Sequence, residues 1–446
     1  MRRIAMISEH ASPIATLGGV DSGGQNVYVA QVAQYLAALG YSVDVFTRRD
    51  SPDLEEVFAW ENRVRVIHVP AGPAKTINKE EILPYMRDFT SFVMNFIRRE
   101  GSYDLIHANF WMSGLAAMNI KRKLGIPYVI TFHALGRVRR QHQGKNDKFP
   151  DTRFDIEEQV AANADRVIAE CPQDRDDLVR LYHAAVERIA IVPAGFNPVE
   201  MQPIGKAAAR KHLGLDPNER IILQLGRMVP RKGVDNVIRA LGHLVHENRI
   251  PARLLIVGGE TAEPDPAKSP ELARLMKIAQ DAGVTEYVTF TGQRQRDVLK
   301  YYYSAADVFV STPWYEPFGI TPLEAMACGT PVIGSNVGGI KYSVADGETG
   351  FLVPPKNARA LAARLAELFS SPAMLQTFSR QAKVRVNQYF TWEKVAHILA
   401  GVYEETISEV VEETRQRGKE HAPTKALNPA FLKSEKETVH RYWTAK

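Results

Sequence analysis

The chain has 446 residues, of which 45% are hydrophobic and 24% charged, and a formal net charge of +5. That length accommodates two or three domains with separate cores, and the composition is that of an ordinary globular protein rather than a disordered one. No apolar run approaches the roughly 18 residues of a spanning helix, so no transmembrane segment is expected. Two cysteines, Cys171 and Cys328, are too few and too far apart for a disulfide framework or a metal-ligand spacing, so buried reduced thiols and a cytoplasmic setting are expected.

Residues 4–8 form a first strand, too short for the apolar core of a signal peptide. After a loop to residue 21, Ser22-Gly23-Gly24-Gln25 has the pattern of a capping box and opens a helix running to Gly40. Further strands are expected at 41–46, 63–70, 104–109, 128–133, 166–171 and 189–193, with helices at 79–99, 112–124, 154–164 and 172–182. Beyond a Pro- and Gly-containing linker at 193–198 the pattern starts again, with strands at 221–225, 253–257, 287–291, 308–311, 331–333 and 351–353. Helices fill those gaps too, from 233–246 through 358–369. A last long helix covers 392–415, followed by a polar tail at 416–446. Short strands alternating with amphipathic helices mean an α/β protein with two mostly parallel sheets, 1–198 and 199–389, whose ligands sit at the strand C-terminal edges.

The segment 307–335 carries the densest chemistry. Thr321-Pro322-Leu323-Glu324 has the form of a helix start, with Thr321 as N-cap, Pro322 first and Glu324 third. The free N–H groups of such a start suit a phosphate. Gly226-Arg227 follows a strand and Arg231-Lys232-Gly233 leads into a helix, so these cations stand where they can neutralise a diphosphate; a solvated basic loop is the plainer alternative. Glu324 can cap its own helix or accept from two ribose hydroxyls, and Glu316 can grip sugar hydroxyls. The glycine-rich run Gly18-Gly19-Val20-Asp21-Ser22-Gly23-Gly24-Gln25 lets a ligand approach the backbone. It is neither GxGxxG nor GxxxxGK[ST], which disfavours a dinucleotide dehydrogenase and a P-loop NTPase. His133 ends an apolar strand at the ligand edge. Asp174-Arg175-Asp176, formally a DxD, is expected on a charged helix surface, and no metal site is implied. The basic run Arg137, Arg139, Arg140, Lys145 and Lys148 is expected in a solvated or substrate-facing loop; without interleaved aromatics it does not form a nucleic-acid stacking platform.

Gly226-Arg227…Arg231-Lys232-Gly233 with Glu316-Pro317-Phe318-Gly319-Ile320…Glu324 resembles the signature of retaining glycosyltransferases of family 4. The N-terminal GGVDSGGQNVYV resembles the subgroup holding sucrose-phosphate synthase, sucrose synthase and the mycothiol-pathway inositol-phosphate glycosyltransferase. The likeness runs over about 3–405. It implies a GT-B fold, with two facing Rossmann-like domains and a C-terminal helix, about 390–415, crossing back to the first. It also implies that Arg227 and Lys232 hold the donor diphosphate with backbone amides of Phe318, Gly319 and Ile320. Glu324 would hold the ribose, Glu316 the donor sugar, the stretch near Arg294 the base, and His133 the sugar's 6-position. Gly23 and Gly24 would admit the diphosphate and acceptor, with Gln25 on the acceptor side. Lys79 (KEEILPY) and Arg153 (RFDIEEQ) match positions that bind an acceptor phosphate in the phosphate-accepting relatives. Phe110 stands where the mycothiol relatives carry Tyr, and Ala134 replaces a hydroxyl residue, which leaves fructose 6-phosphate or another small sugar phosphate beside inositol phosphate.

The expected protein is a retaining hexosyltransferase using a nucleotide sugar, UDP-glucose foremost, and a small phosphorylated sugar or polyol acceptor. No obligatory cofactor, divalent metal or nucleic-acid partner is expected, and the oligomeric state is open. The alternatives are transfer to a polysaccharide or lipid-linked acceptor, and a non-catalytic nucleotide-sugar or nucleic-acid binding module.

Overall fold

Uninterrupted runs of branched apolar residues leave no polar face for solvent, so their strands must lie inside sheets covered on both sides. In the computed structural model, which describes residues 1–15 and 23–420, this holds for most strands of two sheets. The first is built from Arg3–Ile7 (β1), Ser42–Arg48 (β2), Val57–Glu61 (β3), Val64–Val69 (β4), Leu105–Asn109 (β5), Tyr128–Thr131 (β6), Arg166–Ala169 (β7) and Ile189–Ile191 (β8). The second is built from Ile221–Leu225 (β9), Arg253–Val257 (β10), Val288–Gly292 (β11), Val308–Ser311 (β12), Val332–Ser335 (β13) and Gly350–Val353 (β14).

The sheets run β3-β4-β2-β1-β5-β6-β7-β8 and β11-β10-β9-β12-β13-β14, all parallel except β3. Leaving aside the antiparallel edge strand β3, both orders reverse direction once, beside β1 and beside β9. At such a point the loops leaving two neighbouring strands diverge and open a crevice at their carboxyl ends. The chain forms two compact units, Met1–Ile14 with Gln25–Pro193 and Glu393–Lys446, and Ala15–Gly24 with Ala194–Trp392. Gly23 and Gly24 thus cluster with the second unit, although the helix that Gly24 opens, Gly24–Ala38, otherwise belongs to the first.

Several expected elements differ. Strand β3 has no counterpart in the sequence pattern because it is an exposed edge, and a non-glycine turn at Arg63 (φ 65°) folds it back antiparallel on β4. The helix expected over 79–99 begins only at Met86. Pro84 has no N–H to continue a ladder, and two short 3₁₀ turns, Lys79–Glu81 and Leu83–Tyr85, precede it. The run from Arg137 is a helix, Gly136–Gln143, rather than an open loop. Ser22, the expected N-cap, and the residues from 421 in the polar tail lie outside the described residues.

The last helix, Trp392–Glu420, docks on the first unit from Glu393 onward. Its Tyr403 hydroxyl lies 2.5 Å from His107 Nδ1, whose Nε2 lies 2.9 Å from Thr131 Oγ1, and all three residues are fully buried. Arg2 reaches Glu404 at 2.9 Å on the same helix. Burial, and then the charge of His133, pushes His107 down to about 3. An unfolded histidine binds its proton near pH 6.5, so between 6.5 and 3 only the unfolded chain is protonated at this position, and stability falls with pH. Denaturant titrations from pH 6.5 to 4 are expected to show wild-type unfolding free energy falling about 1.4 kcal/mol per pH unit more steeply than that of His107→Gln.

Candidate active site

In the second unit, β9 ends at Gly226 (φ 141°) and Arg227, and a 3₁₀ turn, Pro230–Lys232, carries Arg231 and Lys232 to Gly233. Gly233 (φ 69°) is indispensable there, since a Cβ would stand 2.0 Å from the Thr312 carbonyl oxygen. The turn is stitched to the loop after the neighbouring β12: Trp314 N donates to Arg231 O at 2.9 Å, and Thr312 Oγ1 to Gly233 O at 3.2 Å. This juxtaposition sets Lys232 Nζ in contact with Glu316 Oε2, with Arg231 at 3.8 Å.

Burial opposes the charge of Glu316, but Lys232, Arg231 and Arg227 outweigh it and hold the carboxyl below its ordinary range. Lys232 is also pushed down, by burial first, with Arg231 and Arg227 opposing the help of Glu316. Three cations therefore act on the one Glu316 carboxylate. Gly23 and Gly24 lie within this unit, where added Cβ atoms would come 3.6 Å from Arg227 Cδ and 3.8 Å from Ile320 Cδ1 respectively.

The helix beyond Glu316 is Ile320–Ala327, with Gly319 (φ 96°) at its N-cap and no side-chain cap. Thr321 is therefore not the N-cap and Glu324 is not at the third position. A glycine with positive φ starts the helix two residues earlier and leaves its first N–H groups without a side-chain acceptor, an anion-binding arrangement. Glu324 does not cap: it is 2% exposed and receives Tyr303 OH at 2.8 Å, with Arg296 Nη1 at 2.9 Å. Phe318 is buried against Phe390, so only its backbone can serve a ligand. Arg294 likewise has its side chain committed, donating to Ala262 O and Gln293 O at 2.7 and 3.0 Å.

In the first unit, β6 stops at Thr131, and His133 sits beyond it in a left-handed conformation (φ 56°) rather than at a strand end. Its Nε2 lies 3.0 Å from Asn109 Oδ1, its Nδ1 3.6 Å from Glu170 Oε2, and its ring meets Tyr28 edge-on. Phe110 also has a left-handed backbone (φ 84°), so strand ends β5 and β6 both carry the local strain that functional corners retain. Asp174 turns towards this cluster instead of the surface, accepting from Glu170 N at 3.0 Å; burial, then Glu170, pushes its carboxyl up to about 8.

Arg153 is fully buried, with Nε donating to Glu157 at 2.7 Å and Nη2 to the Ala134 carbonyl. Its guanidinium lies 5.0 Å from the Phe110 ring centre and 4.5 Å from that of Phe149, and its Nη1 has no hydrogen-bond partner. Glu157 already neutralises it, so Arg153 offers a phosphate one hydrogen-bond donor rather than a free charge. Lys79 is half-buried on its 3₁₀ turn, and the neighbouring Glu80 pairs with Arg139 at 3.6 Å. The basic run is internally paired: Arg137 with Glu158, Arg139 with Asp147 and Arg140 with Asp151, each at 2.7 Å. Gln25 Nε2 donates to Ser8 Oγ and Asn109 O, both at 3.2 Å.

Residues without a sequence signal complete the two corners. Glu9, fully buried, is bound by Ser113 Oγ and lies 2.7 Å from His10 Nδ1, and the His10 ring packs edge-on against Phe110. Gly338 and Gly339 cradle the 316–318 segment, where Cβ atoms would meet Glu316 O at 1.6 Å and Phe318 Cα at 2.4 Å. The paired glycines ahead of Ile340 were the available clue.

Residues 22–200 match the Glycosyltransferase Family 4 model and residues 205–385 the model of glycosyl transferases group 1. The D-inositol 3-phosphate glycosyltransferase of Streptomyces bingchenggensis is 37% identical over 91% of this chain and 90% of its own. The chain belongs to glycosyltransferase family 4. The enzyme of the same name from Mycobacteroides abscessus is 36% identical over 92% of this chain and 90% of its own. The sucrose-phosphate synthase structure from Thermosynechococcus elongatus superimposes with a TM-score of 0.84, at 35% identity, over 92% of this chain and 100% of that one. Anabaena HepE in complex with UDP-glucose, 19% identical with a TM-score of 0.71 over 91% of this chain and 100% of that one, shares the fold. The two Rossmann-like domains of this family 4 glycosyltransferase are those of the GT-B fold. Among the described residues no helix is long and apolar enough to cross a membrane.

Two substitutions probe these corners. Gly339→Ala must displace the 316–318 backbone, and denaturant melts are expected to show a loss of about 1–3 kcal/mol. Glu157→Gln leaves Arg153 buried without its counter-charge and is expected to cost about 3 kcal/mol in denaturant melts.

Proposed function

We propose that the enzyme transfers a hexose, with retention, from a nucleotide sugar to a small phosphorylated sugar or polyol, with UDP-glucose as the leading donor. The observation that carries the donor half is the pairing of Lys232 and Arg231 with Glu316 beside a helix start that has no side-chain cap, with the charge of Arg227 also acting on that carboxylate. Clustered cations and free helix N–H groups suit a diphosphate. Glu324 takes the ribose hydroxyls and Glu316 those of the sugar, while backbone amides from Phe318 to Ile320 meet the phosphate. By the family likeness His133 would bond the sugar's 6-position, and the backbone near Arg294 would meet the base.

Retention follows from a front-face reaction in which the departing diphosphate takes the acceptor's proton. The protein then contributes positioning and charge stabilisation rather than a nucleophile. A phosphorylated acceptor is supported by the names of the relatives, and by Lys79 and the unpaired Nη1 of Arg153. Phe110 and Ala134 stand where the mycothiol relatives carry hydroxyl residues, and two phosphate hydrogen bonds fewer favour a hexose phosphate over inositol phosphate. The reaction belongs in the cytoplasm, consistent with two buried, unbridged cysteines.

The test is a matrix of nucleotide-sugar donors against free and phosphorylated acceptors, read as released nucleotide. UDP-glucose with a hexose phosphate is expected to turn over fastest; turnover confined to unphosphorylated or polymeric acceptors would overturn the acceptor assignment. Lys232→Ala removes a charge-assisted phosphate partner and is expected to weaken UDP binding by about 1.5–3 kcal/mol. Unchanged UDP affinity in calorimetry would sink the donor site.

A further inference from the structure

Glu324 is held by one helix, Arg296–Ala305, from two positions a pair of turns apart. Tyr303 donates its hydroxyl to Glu324 Oε2 at 2.8 Å, and Arg296 Nη1 stands 2.9 Å from Oε1. Arg296 cannot swing away, because its Nε donates to Glu200 Oε2 at 2.5 Å, and Glu200 in turn accepts from Asn197 Nδ2 at 3.0 Å. Glu324 Oε1 is buried, and its approach to Arg296 is not aligned as a hydrogen bond. A carboxyl oxygen has two lone pairs, so Tyr303 and Arg296 leave acceptor capacity on both oxygens of a group that is rotationally fixed. Two vicinal hydroxyls are the ligand that a fixed carboxylate accepts from at both oxygens.

We propose that Arg296 is a positioning residue for donor recognition, holding Glu324 in the orientation that selects a ribose over a deoxyribose. This rests on Glu324 being the ribose ligand. Arg296 acts only through Glu324, so its effect is confined to the hydroxyls and does not extend to the diphosphate, which is met by Lys232 and its neighbours.

Calorimetry on the full chain with UDP and with 2′-deoxy-UDP separates these contributions. Wild type is expected to bind UDP about tenfold or more tightly than 2′-deoxy-UDP. Arg296→Gln is expected to bring that ratio near one, through weaker UDP binding, with 2′-deoxy-UDP affinity little changed. Arg296→Lys should fall between, and carries the test if the glutamine variant does not fold. A ratio unchanged in both Arg296 variants would overturn the proposal, as would equal loss of both nucleotides. Absence of discrimination in wild type would instead remove Glu324 as the ribose ligand.

Discussion

The contact of Lys232 with Glu316 joins two loops that leave adjacent parallel strands, and the corner proposed to take the donor is arranged around it. Arg227, Arg231 and Lys232 disfavour one another's charge in this partly buried corner, and the Glu316 carboxylate offsets part of that repulsion. The backbone makes the arrangement rigid. Gly233 is pressed against the Thr312 carbonyl, and Gly338 and Gly339 against the 316–318 segment, at separations that admit no side chain. The pairing of β9 with β12 at the point where strand order reverses explains why these loops meet at all.

The corner in the first unit works by a different balance. Its arginine is already matched by a buried glutamate, its histidine by an asparagine and a glutamate, and its basic helix by acids of the same region. Charge there goes into holding shape, around an Arg153 whose Nη1 has no hydrogen-bond partner and two residues in left-handed backbone conformation.

Much of this was legible in the sequence because it depends on local rules. Strand cores such as Ile221–Leu225 and Val308–Ser311, and the helix Pro172–Tyr182, follow from β-branched runs and from proline at a helix start, which act within a few residues. The cationic pair after β9 and the two glutamates beyond β12 were visible as residue types at meaningful spacing. Tertiary contacts decided the rest. Thr321 has every local qualification for an N-cap, yet Gly319, held against Ile340, starts the helix earlier; Glu324 then turns to Arg296 and Tyr303 rather than to its own backbone. Nothing local to Arg153 signals burial, yet three aromatic rings and Glu157 enclose it. A sequence specifies which groups can bond; which partner each one takes depends on residues far away in the chain, brought within 3 Å only when the sheets close.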